Sequence, residues 1–248
     1  MRVVMRIEQL HERLQEFAGA STEEELIELC RFHAAELGFE SFIYALRVGS
    51  ISTGSRVIQV KGYPASWLDR YWAESYFAVD PVVGYCSHHV LPIDWAKLTP
   101  RISAASRRMM SEATEFGLCS GISMPVHGPH GELGILSFAR SDAGVRSRAE
   151  THHALAVIQL LSGYLHEAVR RVYSVIEVGV EPLSVREEDC LRWASEGKTS
   201  WEISQLLDIS ERTVNFHFQN SIAKLKASSR QHAIVKAITS GNLRPRPF

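Results

Sequence analysis

The chain has 248 residues, long for one domain and comfortable for two. Hydrophobic residues make up 45% and charged residues 22%, the balance of an ordinary globular protein, and no run approaches the roughly 18 to 20 apolar residues that a membrane span needs. The net charge of −1 argues against a chain that is nucleic-acid-binding throughout, but the charge is unevenly placed: ten Lys/Arg face seven Asp/Glu from residue 183 onward, leaving 17 against 21 before it.

The start, Met1 to Arg6, has no apolar core of signal-peptide length, so the expected address is cytoplasmic, with no membrane partner. The cysteines (Cys30, Cys86, Cys119, Cys190) are scattered without a C-x-x-C pair and read as small apolar residues, not as a zinc site or a disulfide framework.

In chain order, Ile7, Leu10, Leu14 and Phe17 recur at helical steps and predict an amphipathic helix. Thr22 with Glu25 has capping-box spacing, the stripe Leu26, Leu29, Cys30, His33 and Leu37 follows it, and Gly38 is placed to end that helix. Strand character marks Phe42 to Val48, Val57 to Lys61, Gly121 to His127 and Glu132 to Arg140, the last two flanking the turn Gly128-Pro129-His130-Gly131. Ser103 to Phe116 predicts a helix closed by Gly117, and Ser147 to Val172 a long one with Leu155, Ile158, Leu161, Leu165 and Val169 on one face. The expected fold class is α+β: an α-β-α sandwich with an antiparallel sheet over residues 1–172, a linker at 173–182, and an all-α domain at 183–248.

That last domain reads as four helices, Ser184 to Glu196, Ser200 to Leu207, Glu211 to about Lys226 and Arg230 to Thr239. Ser184/Glu187 and Thr199/Glu202 are capping boxes, and the short turn Asp208-Ile209-Ser210 gives the second and third helices a helix-turn-helix arrangement. Val214, Phe218, Ile222 and Leu225 should pack inward. The opposite face then presents Arg212, Thr213, Asn215, Phe216, Gln219, Asn220 and Lys224. Amides pair bidentately with adenine and Phe216 suits a thymine methyl, while Lys198, Thr199, Arg212, Thr213 and Lys224 suit phosphates. By themselves these residues fit either a DNA-reading helix or the solvated face of a small bundle.

The ordered segments Leu183-Ser184-x-Arg186-Glu187, Gly197-Lys198-Thr199-Ser200-Trp201-Glu202-Ile203 and Ile209 through His217 resemble the DNA-binding domain of the LuxR family, with Glu187, Leu191 and Gly197 at hallmark positions. The resemblance implies base-reading roles for Asn215, Phe216 and Gln219. Asn215 departs from the Lys more common there, so sequence preference does not carry over.

In the N-terminal half, Trp67 and Tyr71 are four apart and share a helical face, and a buried carboxylate such as Asp80 needs hydrogen bonds. Alone, these residues fit equally a satisfied core acid among core aromatics. As a set, Trp67, Tyr71, Asp80, Pro81, Trp95 and Gly121 resemble the autoinducer-binding domain of LuxR-type quorum-sensing regulators. The resemblance, now covering nearly the whole chain, implies an N-acyl-homoserine lactone as ligand and no cofactor. It implies Asp80 as acceptor for the ligand amide, Trp95 as donor to the lactone carbonyl, Tyr63 and Ser137 as donors to the acyl carbonyl with Ser123 assisting, and Trp67, Tyr71, Val83 and Ile135 as the apolar lining. Leu68, apolar where some members are polar, points to an unsubstituted acyl chain.

The same resemblance implies a homodimer, formed through the long helix around Leu155 to Val169, on double-stranded DNA with half-sites about one helical turn apart, and RNA polymerase as a further partner. Two other readings stand beside it. One is a regulator that is signal-independent or answers a different small molecule. The other is an enzyme or metal protein using His127-x-x-His130, His152-His153, Ser123 or Ser137; a hairpin turn imposes no ligand geometry and no G-x-S-x-G is present, so no catalytic and no metal residues are expected.

Overall fold

In the computed structural model, residues 7–50, 54–98, 102–129, 131–142, 144, 148–175, 181–239, 241 and 243 are described. The chain divides into two compact units, one built on a sheet and the other mainly on the four C-terminal helices.

The first unit opens with α1 (Ile7–Gly19) and α2 (Glu23–Glu36). Leu10, Leu14 and Phe17 are buried on α1, and Leu26, Cys30 and His33 on α2, as the three- and four-residue spacing dictates. The Thr22/Glu25 capping box is formed in both directions, satisfying two of the backbone N–H groups left over where α2 begins. Gly38, at φ 76°, supplies the left-handed residue that lets the chain leave α2 for the sheet.

The sheet has five strands in the order β2-β1-β5-β4-β3, from β1 (Ser41–Ser50), β2 (Gly54–Gly62), β3 (Ile93–Asp94), β4 (Ser120–His127) and β5 (Leu133–Arg140). The pairings of β1 with β5, β5 with β4 and β4 with β3 are antiparallel. Four strands match the sequence pattern. β3, only two residues long, is too short to show a period and was not anticipated.

Register decides which side chains share a face, because successive side chains alternate. Phe42 pairs with Phe138 and Tyr44 with Leu136 across β1 and β5, while Ile122 and Met124 of β4 oppose Phe138 and Leu136. This face packs beneath α6 (Arg148–Val172), where the Tyr44 hydroxyl meets His166 Nδ1 at 2.6 Å. The other face carries Gly121 opposite Ala139, Ser123 opposite Ser137, and Pro125 opposite Ile135. It is covered by α3 (Ala65–Ala73), α4 (Pro81–Cys86) and α5 (Ala104–Glu115) together with single 3-10 turns at Tyr76–Ala78 and Trp95–Lys97. Helices on both faces of an antiparallel sheet make the expected α-β-α sandwich.

On the long helix α6, Ile158, Leu161, Leu165 and Val169 are buried inside the protein's own core. The outward side of α6 carries Ala156, Leu160, Gly163 and Glu167. Sequence periodicity locates an apolar stripe but does not say which chain covers it.

The second unit comprises α7 (Val185–Ser195), α8 (Ser200–Leu207), α9 (Glu211–Lys224) and α10 (Arg230–Thr239) around a core of Cys190, Leu191, Ile203, Val214, Phe218, Leu225, Ala233 and Ala237. Both expected capping boxes are formed, at Ser184/Glu187 and Thr199/Glu202. Asp208 takes a left-handed conformation (φ 53°) that ends α8, and Ser210 caps α9 by accepting from the Thr213 N–H. Of the segment expected to link the two domains, residues 176–180 lie outside the described residues.

Candidate functional site

The covered face of the sheet gathers most of the residues singled out in the N-terminal half. Trp67, Tyr76, Val82, Cys86, Trp95, Met109, Ala113, Leu118 and Ala139 form one apolar cluster, bordered by Tyr63, Tyr71 and Ile135. Trp67 is its centre: its ring lies 5.9 Å from those of Tyr71 and Tyr76 and 5.4 Å from that of Phe116. The Trp67–Tyr71 spacing on α3 produces the first of these contacts directly.

Polar groups enter this cluster in two hydrogen-bonded sets. Asp80 is the N-cap of α4: its Oδ1 accepts from the Val82 N–H at 2.7 Å, and its Oδ2 accepts from the Tyr71 hydroxyl at 2.8 Å. Pro81 follows as the first helical residue, where a missing N–H costs nothing. Burial pushes the Asp80 carboxyl above its ordinary range, against the hydrogen bonds from Tyr71 and the backbone, which favour the charge. Burial and the facing Asp80 carboxylate push the Tyr71 hydroxyl up as well, so it stays a donor.

The second set runs across the sheet. The Trp95 indole N–H donates to Ser123 Oγ at 2.8 Å, and Ser123 Oγ lies 2.7 Å from Ser137 Oγ. Ser123 and Ser137 are opposite one another in the β4–β5 register, which is why two hydroxyls fourteen residues apart can meet. Gly121 makes room for Trp95: a Cβ there would sit 2.7 Å from the indole and 2.6 Å from the Phe138 carbonyl oxygen. The Tyr63 hydroxyl is buried without a well-formed hydrogen bond; burial and nearby Asp80 push its ionisation up, and the Ser137 hydroxyl opposes this. An unsatisfied O–H in such a place is costly, of order 1 to 3 kcal/mol, and is a natural position for a ligand acceptor.

Thus Tyr63, Trp67, Tyr71, Asp80, Trp95, Ser123, Ile135 and Ser137 are brought to one face of the sheet, with Val83 half-buried on α4 beside them. The donor of Trp95 is aimed at Ser123.

Sequence reasoning missed the fastening outside this cluster. Glu112 of α5 accepts from the Tyr76 hydroxyl at 2.5 Å and from Arg108 at 3.0 Å, and pairs with Arg70 of α3 at 3.2 Å. These bonds, the Tyr76 one foremost, hold its carboxyl down at about 2. The Arg108–Glu112 spacing of four was visible in the chain; the approach of α3 was not.

In the second unit, Arg212, Asn215, Phe216 and Gln219 are exposed on α9, with Thr213 and Asn220 half-buried beside them. Phe216 stays 60% exposed. Lys198 Nζ lies 3.4 Å from Glu202 at the start of α8, and Thr199 caps that helix. Thr213 shares a 2.7 Å hydrogen bond with Ser210.

Lys224 departs from the expected phosphate role. Its ammonium donates to buried Glu187 at 2.9 Å and to the Pro182 carbonyl at 3.2 Å, with Glu181 3.7 Å away. Burial resists ionisation of Glu187, but its bonds from Ser184 and Lys224 outweigh that and lower its pKa. Lys224 is a strut tying α9 to the start of α7.

His127 Nε2 sits 2.9 Å from the His89 carbonyl oxygen, and His130 lies outside the described residues. Among the described residues no group of three His, Cys, Asp or Glu is arranged to hold a metal, and no helix is long and apolar enough to cross a membrane.

A sandwich whose covered sheet face gathers polar donors among aromatics, joined to a helix-turn-helix unit, defines a ligand-sensing transcription regulator. Residues 22–169 match the family described as "Autoinducer binding domain", and residues 181–237 match "Bacterial regulatory proteins, luxR family". The chain belongs to the LuxR family of autoinducer-binding transcription regulators, a family of regulators and not of enzymes. It is 36% identical to the transcriptional activator AhyR of Aeromonas hydrophila over 97% of this chain and 94% of that one. It is also 36% identical to the transcriptional activator LuxR of Aliivibrio fischeri, over 73% of each. Among solved structures, Escherichia coli SdiA matches with a TM-score of 0.79 at 28% identity over 96% of this chain and 99% of that one. SdiA in complex with octanoyl-rac-glycerol matches with a TM-score of 0.78 at 27% identity, over 96% and 97%. The partners of this chain are therefore DNA and a small-molecule autoinducer.

Proposed function

We propose that the protein senses an N-acyl-homoserine lactone through residues 1–172 and, as a cytoplasmic homodimer, passes that signal across a linker at 173–182 to an inverted-repeat DNA element read by residues 183–248. The observation that carries this reading is the convergence of Asp80, Trp95, Ser123, Ser137 and the unpaired Tyr63 hydroxyl on one aromatic-lined sheet face. A lactone with an amide brings one N–H donor and two carbonyl acceptors, the complement of this set. Asp80 Oδ2, already beside the Tyr71 hydroxyl, takes the amide N–H. Trp95 exchanges Ser123 for the lactone carbonyl, and Tyr63 and Ser137 donate to the acyl carbonyl. Trp67, Tyr71, Val83 and Ile135 line the apolar part, and buried, apolar Leu68 favours an acyl chain without a 3-oxo group.

Ligand that binds only the folded sensor stabilises it by about 2.7 kcal/mol at a hundredfold excess over Kd. The dimer contact then falls on the outward side of α6, around Leu160, 53% exposed. Two α9 helices, presenting Arg212, Thr213, Asn215, Phe216, Gln219 and Asn220 with Lys198 and Thr199 at the phosphates, enter successive major grooves about one helical turn apart, and the bound dimer contacts RNA polymerase.

The test is mass spectrometry of what the purified protein retains after expression with a panel of acyl-homoserine lactones and octanoyl-rac-glycerol. Recovery of one intact lactone, lost in Asp80→Asn, is the expected result. Preferential recovery of the acylglycerol, or undiminished DNA binding with nothing retained, overturns it in favour of a regulator with a different signal or none.

A further inference from the structure

A hydrogen-bonded chain inside the helix-turn-helix unit ends on one amide of its exposed face. Arg230, the first residue of α10, lies with its guanidinium carbon 4.0 Å from the centroid of the Phe218 ring and donates to the Lys198 carbonyl at 2.8 Å. Core ring and backbone carbonyl together fix its position. Its remaining reach is to Ser200 Oγ, at 3.3 Å. A guanidinium only donates, so Ser200 accepts there and directs its single hydrogen elsewhere. The acceptor it meets is Asn215 Oδ1, 2.9 Å away across the α8–α9 corner. The carbonyl end of Asn215 is therefore turned toward α8. What the side chain has left for an incoming partner is its NH2 group.

We propose that Ser200, held by Arg230, is a specificity-determining positioning residue that makes Asn215 a donor-only reader, selecting a base edge of acceptors, guanine O6 and N7, over adenine. A free amide pairs with adenine bidentately, accepting from N6 through its oxygen and donating to N7. Swinging Asn215 Oδ1 out to adenine gives up its bond with Ser200. Guanine needs no such rearrangement. The inference rests on the reading of α9 as the recognition helix, and it reverses the adenine preference expected of Asn215 from its residue type alone.

The test is selection from a duplex pool randomised across both half-sites, using full-length protein purified with N-octanoyl-homoserine lactone, for the wild type, Ser200→Ala and Asn215→Ala. Ser200 is half-buried at the first position of α8 and the cap is Thr199, so Ser200→Ala leaves the melting temperature in place. Guanine is expected at one position per half-site in the wild type, its preference lost in Asn215→Ala. In Ser200→Ala the guanine-to-adenine ratio at that position should fall on the order of tenfold. Unchanged guanine enrichment in Ser200→Ala, or adenine at the Asn215-dependent position in the wild type, overturns the orienting role while the recognition-helix reading stands. Sequences identical between Asn215→Ala and the wild type overturn both.

Discussion

The sensor face of the sheet and the outer face of α9 both carry polar groups, yet these are held in opposite ways. On the sheet, Trp95, Ser123 and Ser137 are buried and satisfy one another, and Asp80 is clasped between Tyr71 and the start of α4. On α9, Arg212 and Gln219 stand exposed to solvent. Buried polar groups are bound up with folding, because losing one partner strands the other in a dry place. Exposed ones contribute little to folding and act when a partner arrives. Recognition of a small ligand and stability are thus one problem in the first unit, and recognition of DNA is nearly separate from stability in the second.

The largest effect should come from removing the acceptor at the heart of the sensor. Asp80→Ala strands the Tyr71 hydroxyl and the Val82 N–H together, and is expected to lower stability by about 2 to 4 kcal/mol in urea unfolding. Response to signal in a reporter strain should fall by roughly a hundredfold or more. A variant that loses response with full stability would break the link between the two.

Lys224 and Arg212 divide the second unit by the same logic. Lys224→Met leaves Glu187 buried and unpaired, and should cost about 3 kcal/mol of stability. The salt dependence of DNA binding should keep its slope. Arg212→Ala is expected to do the reverse: an unmoved melting temperature and a salt slope shallower by about one. Binding titrations at several salt concentrations, beside thermal melts, separate the two.

His33 offers a smaller, pH-dependent check on how dry the sensor interior is. It is 1% exposed, lies against Phe17, and its Nε2 has no hydrogen-bond partner. Burial depresses its pKa from 6.5 to about 4, with Glu16 opposing and Arg13 adding to the shift. The unfolded chain therefore binds the proton more readily. Stability is full above pH 6.5 and is lost as pH falls from 6.5 toward 4. Over that window the wild type should lose about 2 kcal/mol more than His33→Leu does in urea unfolding at each pH.

The sandwich and the helical unit were legible because each rests on local rules. Thr22/Glu25, Ser184/Glu187 and Thr199/Glu202 have a spacing that satisfies helix N-termini wherever it occurs, and all three boxes are formed. Gly38, Gly117 and Gly197 have positive φ where a helix was expected to stop. The candidate ligand-binding residues were named from a resemblance carried by the ordered run from Trp67 to Gly121, not from spacing alone. Glu112, Ser200 and Arg230 were missed because each acts on a partner brought near only by folding. Lys224 was misread for the same reason. A basic side chain near the end of a polar helix looks like a phosphate contact until its carboxylate partner, 37 residues away, is seen.

By itself, the order of residues determined where the long helices and the four long strands lie, which stripes are apolar, and which family the chain resembles, since these depend on neighbours a few positions apart. Only the tertiary structure decided that the α6 stripe faces inward, that Trp95 is held by Ser123, and that the Asn215 carbonyl is turned toward Ser200. Hydrogen bonds and burial are settled by which distant surfaces meet and in what register, and a donor's role is open until the acceptor beside it is known.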